Sequence, residues 1–266
     1  MHIARTVLTP FVSTKQLDAI SQFYWNLRAH IARFADDIRL SGTFLSDTSL
    51  PMSTLSRLWF IIRCLYISLR LESPHSQQEI LAFTRMILLA PPGVIVEAGC
   101  FKGSSTAKFS LIAKRLNRTL VVFDSFQGIP ENREDHKRDF SGNPICFAGG
   151  SYAGTIEEVV TNVGRYGRAD ACRFVRGWFE DTMPIFKEPI AAAYLDVDLV
   201  SSTQTCLKNL YPLLTSGGFL ASQDGHLPLV VNVLVDWQKE NDVTFTGLGT
   251  QKLVWLCKPR NNPFAL

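Results

Sequence analysis

The sequence predicts an α/β fold: a mostly parallel, seven-stranded sheet with crossover helices and a reversed C-terminal strand, preceded by a helical cap. Residues 1–92 contain helical apolar periods, whereas short apolar runs alternate with helical periods from residue 93 onward. The last two apolar runs are separated only by Gly249-Thr250-Gln251, too short for a parallel crossover, so they must pair antiparallel. The chain therefore divides into a helical cap or oligomerisation segment, residues 1–92, and a sheet domain, residues 93–266.

The cap is predicted to contain three helices. Apolar residues at intervals of three or four from Leu17 to Ile38 indicate a long amphipathic helix, which Ser41-Gly42-Thr43 is expected to end. A second helix is predicted from Thr54 to Leu71, and a third from Ser76 to Leu89, where Pro91-Pro92-Gly93 ends it. Their apolar stripes need the sheet domain or a second subunit to cover them, which predicts a homo-oligomer.

The sheet domain is predicted to alternate strands with helices. The strands are Val94–Ala98, Leu120–Asp124, Cys172–Arg176, Ala191–Asp196, Phe219–Ser222, Val243–Leu248 and Lys252–Cys257. The helices are Ser104–Leu116, Thr155–Arg165, Ser201–Leu214 and Leu227–Glu240. A parallel sheet that ends in one reversed strand is typical of Rossmann-like class I methyltransferases and uncommon in nicotinamide-binding folds.

Composition and charge exclude several classes of partner. The 27 Lys and Arg residues nearly balance the 24 Asp and Glu residues and form no basic run, so we expect no nucleic-acid partner. Arg63 and Arg70 interrupt the most apolar stretch, Leu58 to Leu71, which predicts no membrane span; an interfacial helix and a buried or subunit-interface helix stay open. Six cysteines without a CxxC pair and an N-terminus without a secretory signal predict buried free thiols and a cytoplasmic protein.

The end of the first strand is the first candidate ligand site. Glu97 precedes two glycines four residues apart, Gly99 and Gly103, and a helix start at Ser104. Glycines let a backbone approach a ligand closely, and a helix N-terminus offers free N–H donors. The dinucleotide fingerprint GxGxxG has no acid before its first glycine, so Glu97 distinguishes this loop from it. A carboxylate here suits a cation such as the ammonium or sulfonium of S-adenosylmethionine (SAM). With Phe101, these residues are the predicted cofactor contacts here; a turn that serves only packing is the alternative.

Two further strand ends add predicted cofactor contacts. Asp124, followed by Ser125, ends the second strand, where an acid can accept both ribose hydroxyls; a turn cap is the alternative. Gly177, Trp178 and Phe179 follow the third strand, where aromatic rings suit the flanks of an adenine. A place in the core is the alternative for Trp178.

Acids at the ends of the fourth and fifth strands predict the reaction centre. Asp196 and Asp198 leave the fourth strand at the edge where an open α/β sheet binds ligands, and they suit a hard cation or a substrate proton. Capping of the next helix would explain Asp198 alone. Asp224 and His226 follow the fifth strand, and a purely structural role for the histidine stays open. Asp196, Asp198 and His226 are therefore the candidate catalytic bases.

A polar segment punctuated by glycines follows the second strand. It runs from Glu131 to Asp139, with Gly142 and Gly149-Gly150 after it. We interpret this segment as a lid that closes over the acceptor and excludes water, with a mobile solvated loop as the alternative.

Several longer strings occur together in this order: Glu97-Ala98-Gly99 with Gly103, Asp124-Ser125-Phe126-Gln127-Gly128, Gly177-Trp178-Phe179-Glu180-Asp181-Thr182, Asp196-Val197-Asp198 and Gly217-Gly218-Phe219. Through them, residues 93–258 resemble the macrocin O-methyltransferase family, whose members use SAM to methylate sugar hydroxyls on natural products. The resemblance implies SAM as methyl donor, with Asp196 among its contacts, and a small-molecule hydroxyl as acceptor. It also implies self-association.

The resemblance further implies Mg²⁺ held at the fourth and fifth strand ends. The residues at these positions are Asp196, Asp198, Gln223 and Asp224. Val197 replaces the glycine of the family's Asp-Gly-Asp. Gln223-Asp224-Gly225 stands where the family usually has Asp-Asp-Tyr, so a neutral amide replaces one anionic ligand. We therefore expect weaker Mg²⁺ binding than in relatives with two acids.

Two other functions stay open on the sequence. An NAD-dependent oxidoreductase of Rossmann type would share the layout but would favour GxGxxG. A catalytically inactive binding protein that retains the SAM fold is compatible with the altered metal motif.

Overall fold

A computed structural model describes residues 23–24, 41–248 and 251–260 of the chain. The helix predicted from Leu17 to Ile38 therefore lies outside the described residues, except for Phe23 and Tyr24, which are helical and exposed.

The helix end expected at Ser41-Gly42-Thr43 is wrong, because residues 41–46 are helical. Packing accounts for this difference. Phe44 is buried, and its carbonyl accepts a hydrogen bond from Nη1 of Arg57 at 3.3 Å. These contacts offset the cost of about 1 kcal/mol that a glycine adds to a helix interior.

The remaining described residues form alternating helices and strands around one sheet. The helices are α1 (Thr54–Arg70), α2 (Gln77–Leu89), α3 (Ser104–Arg115), α4 (Ile156–Tyr166), α5 (Phe179–Thr182), α6 (Val200–Leu210) and α7 (Pro228–Asn241). The strands are β1 (Val94–Ala98), β2 (Leu120–Asp124), β3 (Cys172–Arg176), β4 (Ile190–Leu195), β5 (Leu214–Ser222) and β6 (Val254–Cys257). The short helix α5 was not predicted. The predicted helix 201–214 ends early, at Leu210, because Pro212 cannot continue a helix.

The sheet has the order β3-β2-β1-β4-β5-β6 among the described residues. The first five strands are parallel, and β6 runs antiparallel to β5, with Phe219 opposite Cys257. The reversed C-terminal strand is therefore confirmed. In parallel strands all carboxyl ends meet at one edge, so the loops after β1, β2, β3, β4 and β5 lie together there.

The predicted count of seven strands is wrong, since the described residues form six. In the predicted strand 243–248, only Thr246 pairs with Trp255. The N–H groups of Val243 and Phe245 instead donate to the carbonyl and the side chain of Gln238 in α7, at 3.1 and 3.2 Å. These two N–H groups therefore cannot donate to a neighbouring strand.

The helices α1 and α2 share a hydrophobic core with the sheet. Phe83 of α2, Phe109 of α3 and Tyr194 of β4 are fully buried, and their ring centroids lie 5.0–5.2 Å apart. A capping box at Ser76 and Glu79 starts α2 and fixes its direction. The division of the chain after residue 92 stays a prediction.

None of the helices in the described part of the chain is long and apolar enough to cross a membrane. All six cysteines are free thiols, but Cys146 and Cys257 are exposed rather than buried as expected. Cys64, Cys100 and Cys206 are buried and pack as small apolar side chains.

Replacement of Phe83 by alanine is expected to lower the free energy of unfolding by about 3–5 kcal/mol, because it opens a cavity between α2 and the sheet. Ile185→Ala is the matched control: Ile185 is 79% exposed in the loop before β4, and its replacement should change stability by less than about 0.5 kcal/mol. Denaturant unfolding of both variants measures the difference. Equal losses would contradict a shared core.

Candidate active site

A cavity of about 340 Å³ opens at the carboxyl edge of the sheet. The predicted site residues that line it are Gly99, Phe101, Asp124, Ser125, Gly177, Trp178, Phe179, Asp196, Asp198, Gln223 and His226. Glu97, Gly103, Ser104 and Asp224 do not line it. The structure therefore brings most of the predicted residues to one space, and the remaining four lie behind its wall.

The ends of β1 and β4 touch at Gly99. This residue has φ of +82°, and a Cβ built on it would lie 1.9 Å from the carbonyl oxygen of Asp196. The N–H of Asp196 donates to the carbonyl of Ala98 at 2.9 Å, which joins the two strand ends. Only glycine fits this contact, so here the glycine serves a close approach of two protein backbones.

Asp124 organises the turns on both sides of its strand. Its Oδ2 accepts the N–H of Cys100, and its Oδ1 accepts the N–H of Phe126, both at 2.7 Å. The turn-cap alternative for Asp124 is thus observed. Each carboxylate oxygen can accept a second hydrogen bond, so these contacts leave room for ribose hydroxyls. Burial raises the pKa of Asp124, although the N–H donors lower it.

Glu97 was expected on the cavity wall as a cofactor contact. It lies instead beside the first turn of α3. Its side chain is fully buried. Burial raises the pKa of Glu97 to about 7, although the nearby side chains of Ser105 and Thr106 lower it. Gly103, with φ of +81°, starts α3, and Ser104 is buried in its first turn. These residues shape the loop after β1 from behind.

Three carboxylates converge where β4 and β5 end. Asp196, Asp198 and Asp224 each offer one oxygen, and these oxygens lie within 4.8 Å of one another. Oδ2 of Asp224 accepts the N–H groups of Val197 and Asp198 at 3.1 and 3.2 Å, so it holds the turn after β4. Oδ1 of Asp224 is buried and has no hydrogen-bond partner among the described residues. The cluster therefore has an unsatisfied buried acceptor.

Two of the three acids, Asp198 and Asp224, have raised pKa values. Burial and the charge of Asp196 raise the pKa of Asp224 to about 7, although the two N–H donors lower it. Burial and the charges of Asp224 and Asp196 raise the pKa of Asp198 well above its usual range. Carboxylate oxygens are the ligands that a hard divalent cation prefers, and a cation bound among these three would offset the repulsion between their charges.

The helix cap predicted as an alternative role for Asp198 is supplied by another residue. Glu134 accepts the N–H groups of Val200 and Ser201, at 2.6 and 2.9 Å, at the start of α6. Nε2 of His136 lies 3.0 Å from the same carboxylate. Asp198 is therefore free of the capping role and lines the cavity.

The segment predicted as a lid forms one wall of the cavity. Glu134 fastens it to α6, and the N–H of Phe140 donates to the carbonyl of His226 at 3.1 Å. Asp139, Pro144, Ile145, Cys146 and Phe147 line the space. These contacts join the segment to α6 and to the loop after β5.

His226 follows β5 and lines the cavity. Burial and the charge of Lys252 lower its pKa, which favours the neutral imidazole that can accept a proton. Its Nδ1 is buried without a hydrogen-bond partner among the described residues.

Gln223 donates from Nε2 to Oε1 of Glu79 at 3.3 Å, so its amide is held by the cap.

The sequence interpretation missed three residues of this region. Nε2 of His75, in the loop before α2, lies 2.7 Å from Oδ2 of Asp196. The capping-box pattern of Ser76 and Glu79 was readable, but nothing in it indicates contact with Gln223. No local pattern marks Glu134 as the cap of a helix that begins 66 residues later.

Comparison with known proteins places this geometry in a family. The family model described as Macrocin-O-methyltransferase (TylF) matches residues 80–247, more than half of the chain. The solved structure of the O-methyltransferase NovP has a TM-score of 0.61 and 26% identity, over 71% of this chain and 84% of that chain.

Two curated relatives are O-methyltransferases by name. The 8-demethyl-8-(2,3-dimethoxy-alpha-L-rhamnosyl)-tetracenomycin-C 4'-O-methyltransferase of Streptomyces olivaceus is 36% identical over 138 residues, 50% of this chain and 53% of the relative. The match thus spans about half of that relative's length. The mycinamicin III 3''-O-methyltransferase of Micromonospora griseorubida is 27% identical over 85% of this chain and 87% of the relative. On the match to the family model and the geometry of the strand ends, this chain belongs to the macrocin O-methyltransferase family.

Proposed function

We propose that this protein transfers the methyl group of SAM to a hydroxyl of a small molecule, a sugar or a natural-product glycoside. The observation that carries the proposal is the cavity itself. It has Asp124 and aromatic side chains at one end and Asp196, Asp198 and His226 at the other. The acceptor class follows relatives that are named for methylation of a rhamnosyl tetracenomycin and of mycinamicin III.

The loops after β1, β2 and β3 are the proposed SAM site. Asp124 would accept the ribose hydroxyls, and Trp178 and Phe179 would flank the adenine ring. Gly99, Phe101, Ser125 and Gly177 line the same end of the cavity. Glu97, Gly103 and Ser104 support that end from behind rather than by direct contact with the ligand. SAM supplies an electrophilic methyl group when bound.

The other end of the cavity is the proposed acceptor site. Methyl transfer needs the acceptor oxygen in line with the methyl carbon and sulfur, which is a matter of positioning. The new O–C bond would form as the methyl–sulfur bond of SAM breaks and S-adenosylhomocysteine leaves, while a base takes the proton of the acceptor hydroxyl. Asp196, Asp198 and His226 are the candidate bases. The wall from Asp139 to Phe147 would exclude water from this end.

A divalent cation fits the acids at this end. Asp196, Asp198 and Asp224 supply three oxygens within 4.8 Å, and Oδ1 of Asp224 is buried without a partner among the described residues. Gln223 would add a neutral carbonyl oxygen. Mg²⁺ bound there would supply positive charge beside the acceptor hydroxyl. With only a neutral amide at position 223, we expect weaker binding than in a site with two acids on β5.

We also propose that the protein is a cytoplasmic homo-oligomer. The exposed face of α1 carries Leu55, Trp59 and Ile62, with 80%, 51% and 56% of their surfaces exposed. An apolar stripe of this kind favours cover by a second subunit. The free thiols of all six cysteines support a reducing compartment.

Asp124→Ala is expected to weaken SAM binding about ten- to a hundredfold, because it removes a charged hydrogen-bond acceptor. Asp139→Ala is the matched control, since Asp139 lines the lid side of the same cavity and should leave SAM affinity unchanged. Calorimetric titration with SAM measures both. Unchanged affinity in Asp124→Ala would exclude this SAM site, and binding of NAD instead of SAM would overturn the function.

Asp224→Asn is expected to stabilise the cation-free protein at pH 8 and to change little at pH 4. The pKa of Asp224 in the folded protein, about 7, lies above the usual value of 3.8, so its contribution to the free energy of unfolding is full below about pH 4 and is lost as the pH rises through 7. Removal of the charge should raise Tm at pH 8 by about 2–4 °C for each kcal/mol of repulsion removed. Mg²⁺ should raise the Tm of the wild type but not of the variant. A lower Tm for the variant at both pH values would contradict the repulsion.

Methyl transfer should depend on the cation. Wild-type protein is assayed with labelled SAM and a panel of rhamnosyl glycosides, with EDTA and then with excess Mg²⁺. We expect at least about a tenfold loss in EDTA and recovery with Mg²⁺. Full activity in EDTA, abolished by His226→Ala, would reject the metal-assisted mechanism and assign the base to His226. Transfer to none of the glycosides, with SAM bound, would favour the inactive binding protein.

A further inference from the structure

The loop between α1 and α2 brings a histidine to the end of β4. His75 is buried, with 4% of its surface exposed, and its Nε2 donates to Oδ2 of Asp196 at 2.7 Å. The ring also packs edge-on against Tyr194, with centroids 5.8 Å apart. Tyr194 belongs to the buried aromatic cluster with Phe83 and Phe109. The imidazole is therefore fixed both by packing and by a hydrogen bond.

The start of the same helix reaches the end of β5. Oε1 of Glu79 accepts the amide N–H of Gln223 at 3.3 Å. Oε2 of Glu79 accepts the N–H and the hydroxyl of Ser76, at 2.6 and 2.7 Å, in the capping box of α2. The cap therefore contacts the tips of two adjacent strands, through His75 to Asp196 and through Glu79 to Gln223.

These contacts give a reason for the amide at position 223. An acid there would place a second carboxylate beside that of Glu79 in a buried pocket, where like charges are costly. Gln223 instead donates a hydrogen bond to Glu79. The departure from the family's Asp-Asp-Tyr thus matches a contact from the cap.

Asp196 needs an anchor because two other acids surround it. Asp196, Asp198 and Asp224 bring carboxylate oxygens within 4.8 Å, and their repulsion favours rotation of a carboxylate away from the group. His75 holds Oδ2 of Asp196, and Asp196 lines the cavity. A displacement of about 1 Å at a reacting group can cost about a hundredfold in rate.

We propose that His75 is a positioning residue for methyl transfer, which orients Asp196 toward the acceptor hydroxyl from outside the sheet domain. The proposal rests on the proposed function. His75 acts through Asp196 and does not itself contact the acceptor. The helical cap is thereby part of the reaction centre, because its loop before α2 fixes the carboxylate that the chemistry uses.

The experiment compares His75→Phe, which keeps a ring but removes the donor, with His75→Gln, whose amide can still donate to Asp196. We expect kcat for the glycoside substrate to fall about a hundredfold in His75→Phe, while the acceptor KM and the SAM Kd change less than about threefold. His75→Gln should recover kcat to within about fivefold of the wild type. Gln77→Leu is the control: Gln77 is equally buried at the start of α2, forms no side-chain hydrogen bond among the described residues and should leave kcat unchanged.

A double variant separates positioning from a general loss of structure. If His75 acts through Asp196, His75→Phe should cause no further loss of kcat in an Asp196→Asn background. Unchanged kcat in His75→Phe, failure of His75→Gln to recover activity, or multiplied losses in the double variant would overturn the proposal. Wild-type protein that binds no SAM would overturn the proposed function, and the positioning role with it. SAM binding with an unaffected His75→Phe would overturn the positioning role alone.

Discussion

The contact between the ends of β1 and β4 determines the rest of the site. At Gly99 the chain turns so close to the carbonyl of Asp196 that no side chain fits between them. This close approach sets the distance between the loop that Asp124 organises and the turn that carries Asp196 and Asp198. A cavity lined by groups from adjacent strand ends follows from it.

The second constraint is electrostatic. The fold brings three carboxylates together and then uses one of them, Asp224, to hold the backbone turn that carries Asp198. Asp224 therefore has one oxygen that holds the turn and one without a partner among the described residues, and its burial beside Asp196 raises its pKa. Such a cluster is stable only where hydrogen bonds, protons or a cation offset the repulsion. Stability and chemistry at this edge thus depend on the same charges.

Elements outside the sheet complete the site by long-range contacts. Glu134 ties the segment after β2 to the start of α6, and His75 ties the cap to Asp196. Each contact joins residues far apart in the chain, 66 and 121 positions respectively. The cap and the lid wall are therefore structural parts of the cavity and not separate appendages.

The sequence alone determined the strands β1 to β5, the reversed last strand and eleven of the residues that line the cavity, because apolar runs and strand-end positions are local properties. It could not determine that the run at 243–248 gives its N–H groups to Gln238, or that Glu97 lies behind the cavity wall. Only the tertiary structure decided which groups meet His75, Glu79 and Glu134. Those contacts depend on how the helices pack against the sheet, and packing of residues distant in the chain leaves no periodic or spacing signal in the sequence.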